Sequence, residues 1–152
     1  MATEAPDRKK MIDLLNDDLS REYQAIMAYV VYSQVLKGAQ YMNIAGELEK
    51  HAAEELDHAL KLSNQIDYFG GMPNATAKPV KLTEDPVEML RADLENERVT
   101  IANYRTRVRQ ADAMGEFALS EILREILVQE QEHLIDLATA LGIDPPEPGE
   151  AR

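Results

Sequence analysis

The stretch "EELDHALKL" (Glu54–Leu62) poses the problem that the rest of the chain must solve. Read as a helix, it sets a carboxylate and an imidazole, Glu55 and His58, three residues apart on the face that carries its leucines. Charged groups on a core face are costly unless something neutralises them. Apolar residues around the stretch recur at intervals of three and four, as Ile44, Leu48, Leu62 and Phe69. The helix is therefore amphipathic, and the gaps of its apolar stripe hold His51, Glu55 and His58.

Three further stripes carry similar insertions. Ile12, Leu15, Leu19, Ile26 and Tyr29 flank Glu22; Leu90, Leu94, Ile101, Tyr104 and Val108 flank Glu97; Leu119, Leu123, Ile126, Leu137 and Leu141 enclose Glu130 and His133. Gly38, the "GGMPN" stop at Gly70–Asn74 and Gly115 separate them. This punctuation predicts helices over about 8–37, 39–69, 86–114 and 117–141, with an extended or disordered tail at 142–152. The third begins in "EDPVEMLRADLE", with Asp85 as N-cap, Pro86 at the first helical position and Glu88 completing a capping-box pattern. At 152 residues the chain is the size of one domain, and the expectation is a single all-α unit over 1–152.

The second half repeats the first at an offset of 75. "EYQAIMAY" from Glu22 aligns with "ERVTIANY" from Glu97, and "ELDHALKL" from Glu55 with "EQEHLIDL" from Glu130. In each half a Glu precedes the Glu-x-x-His by 33 residues, so two copies of one helical hairpin are expected. The distances to Gly38 and Gly115 bring the four glutamates to about one height, within roughly a helical turn. The connection between the hairpins is long for a bundle and could carry a crossover between parallel helices; an up-and-down arrangement fits the ligand heights equally well.

Composition narrows the chemistry. With no Cys, thiolate zinc sites, iron–sulfur clusters and thiol nucleophiles are excluded, so any metal is held by oxygen and imidazole. A net charge of −12 argues against direct nucleic-acid binding and for cations as partners. The polar start "MATEAPDRKK" and a longest apolar run of only "AIMAYVV" point to a soluble, cytoplasmic protein with no membrane partner. Four carboxylates and two imidazoles in one core carry a charge that two divalent cations would balance. The donor set Glu22, Glu55, His58, Glu97, Glu130 and His133 suits iron, with manganese or zinc able to substitute. Glu55 and Glu130 are placed to bridge, Glu22 and Glu97 to bind terminally. Tyr29 and Tyr104, each two turns beyond a terminal Glu, could donate a hydrogen bond or an electron. For His51, whose counterpart in the repeat is Ile126, an ordinary hydrogen-bonded histidine and an auxiliary metal contact both stay open.

From about Met11 to Leu141 the chain resembles the ferritin-like superfamily, and the bacterioferritins in particular, on "REYQAIMAY", "EELDHA", "GGMPN", "EDPVEMLRADLENE" and "EQEHLIDL", in that order. The resemblance implies an all-α ferritin-like four-helix bundle, up-down-down-up with a long crossover between helices two and three. It implies a ferroxidase centre of two iron ions per subunit at the six residues named, and makes Tyr29 similar to a tyrosine beside that centre. It further implies oxidation of Fe(II) by O2 or H2O2 for iron storage and detoxification in a hollow homo-oligomer. Haem-binding bacterioferritins carry Met where this chain has Leu56, so haem is not expected. Pro145, Pro146 and Pro148 would not propagate the fifth helix of 24-subunit shells, so a 12-subunit cage or a dimer stands beside the 24-mer. Lys50 and Glu54 occupy the places where related proteins have an interior iron-binding pair, and the lysine departs from that pattern. Two other functions stay in view: a non-storing diiron oxidase or peroxidase acting on a small substrate, and a Dps-like stress-protection protein.

Overall fold

The computed structural model describes residues 4–149, so the last part of the tail expected at 142–152 lies outside the described residues. Four long helices carry the fold: α1 (Arg8–Val35), α2 (Met42–Tyr68), α3 (Pro86–Met114) and α4 (Phe117–Leu141). Asp7 caps α1 by accepting from the Lys10 N–H at 2.7 Å. α1 stops at Val35, two residues before the expected end, because Leu36 leaves helical geometry at φ −56°, ψ 129°. A single 3-10 turn, Ala39–Tyr41, then leads into α2. Asp85 caps α3 through the Val87 N–H at 2.9 Å. The reciprocal half of the expected capping box is different: Glu88 accepts from the Thr83 hydroxyl at 3.0 Å, and the Asp85 N–H goes to Thr83 Oγ1 at 3.1 Å. Gly115 closes α3 in the left-handed conformation, φ 76°, which a side chain would resist.

Cross-helix contacts fix the directions. Asp18 meets Arg107, Glu22 meets Tyr104 and Tyr29 meets Glu97, so α1 and α3 run antiparallel. His51 meets Asp136 and His58 meets Gln129, so α2 and α4 do too. Glu22 lies beside His58 and Gln34 beside Glu49, which makes α1 and α2 an antiparallel hairpin. The bundle is therefore up-down-down-up, and α2 and α3 are parallel.

The connection from α2 to α3 must then climb the length of the bundle, about 40 Å for a helix of 27 residues. It does so along α1. Asn74 is held by Asn16 at 2.8 and 2.6 Å, the Lys78 N–H donates to the Ser20 carbonyl at 3.1 Å, and Gln24 donates to the Pro79 carbonyl at 2.7 Å. The Tyr32 hydroxyl donates to the Lys81 carbonyl near the top. At its start Gly71 lies against Ile12, where an added Cβ would come within 2.5 Å of Cγ2.

Apolar packing forms two blocks. Met11, Leu15, Leu19, Leu62, Ile66, Leu119 and Leu123 belong to one; Tyr29, Tyr32, Leu48, Leu90 and Leu137 belong to the other. On α1, Leu15, Leu19 and Tyr29 are buried as the stripe predicts, but its first member is the fully buried Met11, with Ile12 only half-buried. Between the blocks lies a polar layer. Past α4, Glu147 sits 3.5 Å from Arg105, and the Pro148 and Gly149 carbonyls accept from Arg98 and Arg105, so this stretch is extended and tied to α3.

Candidate metal centre

The polar layer is built from the six residues read from the sequence. Glu22 comes from α1, Glu55 and His58 from α2, Glu97 from α3, and Glu130 and His133 from α4; none is more than 2% exposed. Each Glu-x-x-His pair faces one point because residues three apart share a helix face. The donors form two groups, Glu22–Glu55–His58–Glu130 and Glu55–Glu97–Glu130–His133, and within each group the ligand atoms all lie within 4.8 Å of one another. Glu55 and Glu130 belong to both. His58 Nδ1 is 3.4 Å from Glu22, 3.3 Å from Glu55 and 2.9 Å from Glu130. His133 Nδ1 is 3.1 Å from Glu55, 3.5 Å from Glu97 and 3.8 Å from Glu130.

An outer ring of partners aims these groups. His58 Nε2 donates to Gln129 Oε1 at 2.6 Å, and His133 Nε2 donates to Glu54 at 3.4 Å, which turns both Nδ1 atoms inward. The Tyr29 hydroxyl donates to Glu97 at 2.6 Å, and the Tyr104 hydroxyl to Glu22 at 2.5 Å. Each tyrosine thus serves a glutamate of the other hairpin, not the one seven residues before it.

The inner atoms are left without partners. Ten buried side-chain nitrogen and oxygen atoms among the described residues make no hydrogen bond, and eight of them belong to these six side chains. Buried polar atoms are otherwise almost always paired, so this concentration fits a site shaped for cations and not a self-sufficient ion network. Without cations, protons take over part of the charge balance. Burial, then the Glu22 and Glu97 carboxylates, push Glu55 well above the usual carboxylate range; burial, then Glu55 and Glu97, do the same to Glu130. Burial works against a charged His133, yet the Glu97 carboxylate outweighs it and raises the imidazole to about 9. His58 rises too, its burial outweighed by Glu130, Glu22 and Glu55. Glu97 is also buried but falls to about 2, because His133 overrides the desolvation.

A family model described as the ferritin-like domain matches residues 12–144. The chain belongs to the ferritin family. Bacterioferritin from Brucella melitensis is 32% identical over 135 residues, which cover 88% of this chain and 84% of that protein. Among solved structures, a ferritin-like, diiron-carboxylate protein from Bacillus anthracis superposes with a TM-score of 0.85 at 31% identity, covering 91% of this chain and 99% of the other. A dodecameric thioferritin, a bacterioferritin-related protein from Bacteroides fragilis, gives 0.83 at 29% identity, covering 90% and 86%.

Four polar residues of this ferritin-family chain enter the site's surroundings without having been read from the sequence. Gln129 and Asp136 lie on α4 beside and one turn beyond the Glu-x-x-His; Asp136 continues the three-residue spacing from Glu130 and His133, a signal that was there to find. Asp18 and Asp93 sit four residues before Glu22 and Glu97, at the same offset of 75, and are only 2% exposed. Asp18 is paired with Arg107, whereas Asp93 keeps a buried oxygen unpartnered and is pushed well above the usual carboxylate range by burial and then by Glu97. Of the accessory residues, Glu54 reaches His133, while Lys50 turns away to Glu47 at 3.0 Å.

Proposed function

We propose that this chain is a di-iron ferroxidase that oxidises Fe(II) with O2 or peroxide and serves iron storage and detoxification. The observation that carries the reading is the pair of donor groups sharing Glu55 and Glu130, with their inner atoms buried and unpartnered. Glu22 and His58 would complete one iron position, Glu97 and His133 the other, and Glu55 and Glu130 would bridge. A pair of bound ferrous ions supplies two electrons, one from each, to an oxidant held nearby. The protein's own part is to supply four carboxylates, which favour the ferric product, and to keep bulk water out of the layer with the two apolar blocks. The hydroxyls of Tyr29 and Tyr104 hold one oxygen of each terminal carboxylate, leaving the other for an ion. The dodecameric relative supports a homo-oligomer of twelve subunits.

Aerobic titration with Fe(II) tests the reading. About two ions per chain are expected to bind and to yield a ferric absorption with consumption of O2 or peroxide, and Glu55→Ala or His133→Ala is expected to abolish it. Particle mass separates storage from catalysis alone: a dodecamer or larger shell that accumulates mineral supports storage. A dimer that turns over without mineral supports the non-storing oxidase.

A further inference from the structure

We infer that Glu47, His51 and Asp136 form a third divalent-cation site, outside the two donor groups of the centre and open to the surface between α2 and α4. Glu47 and His51 are four residues apart on α2 and so share a face; Asp136 comes across from α4, one turn beyond His133. Their ligand atoms lie within 4.8 Å of one another. His51 Nε2 is 3.1 Å from Asp136 Oδ2. The His51 side chain is 2% exposed, whereas those of Asp136 and Glu47 are 41% and 42% exposed. The three therefore make a buried nitrogen at the floor and two oxygens at the rim. Glu47 and Asp136 also line a surface cavity of about 210 Å³ with Gln40, Asn43 and Thr139, so an ion can reach the triad from solvent.

The nitrogen that faces Asp136 is His51 Nε2. Nδ1, on the other edge of the ring, is buried and unpartnered, so the nitrogen the triad offers an ion is Nε2. Imidazole with two carboxylates is the donor set that suits Fe(II), Co(II) and Zn(II). Lys50 holds one Glu47 oxygen at 3.0 Å, but its side chain is 71% exposed and is readily displaced by a dication. The site also has a defined place relative to the centre: the His51 ring stacks on that of His133, centroids 4.0 Å apart and planes 26° apart. An ion there sits one imidazole away from the dinuclear layer, outside it and in contact with solvent. Its role as a staging point for Fe(II) rests on the ferroxidase reading; its existence as a cation site does not.

Anaerobic Co(II) titration of the full chain by calorimetry, with excess Mg(II) to mask surface acids, tests the site, and anomalous scattering from Co(II)-soaked crystals places the ions. Wild type is expected to bind three per chain, and Asp136→Asn and Glu47→Gln two each. Lys50→Gln is expected to tighten the third equivalent by about threefold by releasing Glu47. In a Glu130→Ala background with unchanged circular dichroism, an ion that survives and is then removed by Asp136→Asn supports the site independently of the dinuclear centre. A wild-type chain that stops at two, an Asp136→Asn chain that keeps three, or a Glu130→Ala chain that keeps none overturns it.

Discussion

At the scale of single residues, the six centre residues were readable because their geometry is local. Two glutamates and two histidines at a spacing of three fix their own relative directions once a helix is granted, and the repeat supplies the other two glutamates. The tyrosines were readable only as neighbours of the site. Seven residues along a helix is about 10 Å, too far for Tyr29 to reach Glu22, and its partner Glu97 follows from α1 and α3 running antiparallel. Tyr104 is tied to Glu22 by the same crossing. A hydroxyl that holds one carboxylate oxygen orients the other toward the ion, and loss of such an orienting partner costs roughly ten- to a hundredfold in metal affinity. Tyr104→Phe is accordingly expected to weaken Co(II) binding at the centre by about tenfold with the fold intact, as read by calorimetry and circular dichroism. Affinity within about twofold of wild type would make Tyr104 a core tyrosine with a satisfied hydroxyl and nothing more.

At the scale of elements, Gly, Pro and cap residues gave helix boundaries close to those observed, because these signals are properties of a few neighbouring residues. What they could not give is which helix packs on which. The choice between a crossover and an up-and-down bundle depends on long-range pairs such as Gln24 with Pro79 and Tyr32 with Lys81, which no periodicity records. A buried pair of this kind joins α1 to α3. Arg107 donates to Asp18 through Nε at 2.7 Å and Nη2 at 3.0 Å, with the two residues 6% and 2% exposed. Burial pushes Asp18 up despite Arg107, so the carboxylate is costly there and depends on its partner. In the repeat the corresponding positions are Asp93 and Tyr32, so the two halves solved the same buried acid differently. Arg107→Ala strands Asp18 and is expected to cost about 3–5 kcal/mol in urea denaturation. Asp18→Asn with Arg107→Met should recover most of that loss, and a single-variant cost under about 1 kcal/mol would show that the pair does not hold the hairpins together.

At the scale of the whole molecule, two apolar blocks clamp a layer whose charge is balanced either by cations or by protons, and the two states differ in how stability responds to pH. In the metal-free chain His133 is raised to about 9, against about 6.5 for an unfolded histidine. Between those values the folded state binds more protons than the unfolded one, so stability falls as pH rises through the window. Glu55 and Glu130, also raised, act with the same sign over their own range above the ordinary carboxylate pKa. Glu97, lowered to about 2, has the opposite sign, but its contribution is lost only in acid and offsets nothing near neutrality. Bound cations replace these protons and add stability through their own binding free energy. Chelator-treated protein is therefore expected to lose about 5 °C or more in Tm between pH 7 and pH 9.5, while Co(II)-loaded protein changes much less. Differential scanning calorimetry at the two pH values, with and without Co(II), measures both. Equal Tm values for the metal-free chain would mean that protons are not what holds the empty layer together, and the buried, unpartnered donors would need another explanation.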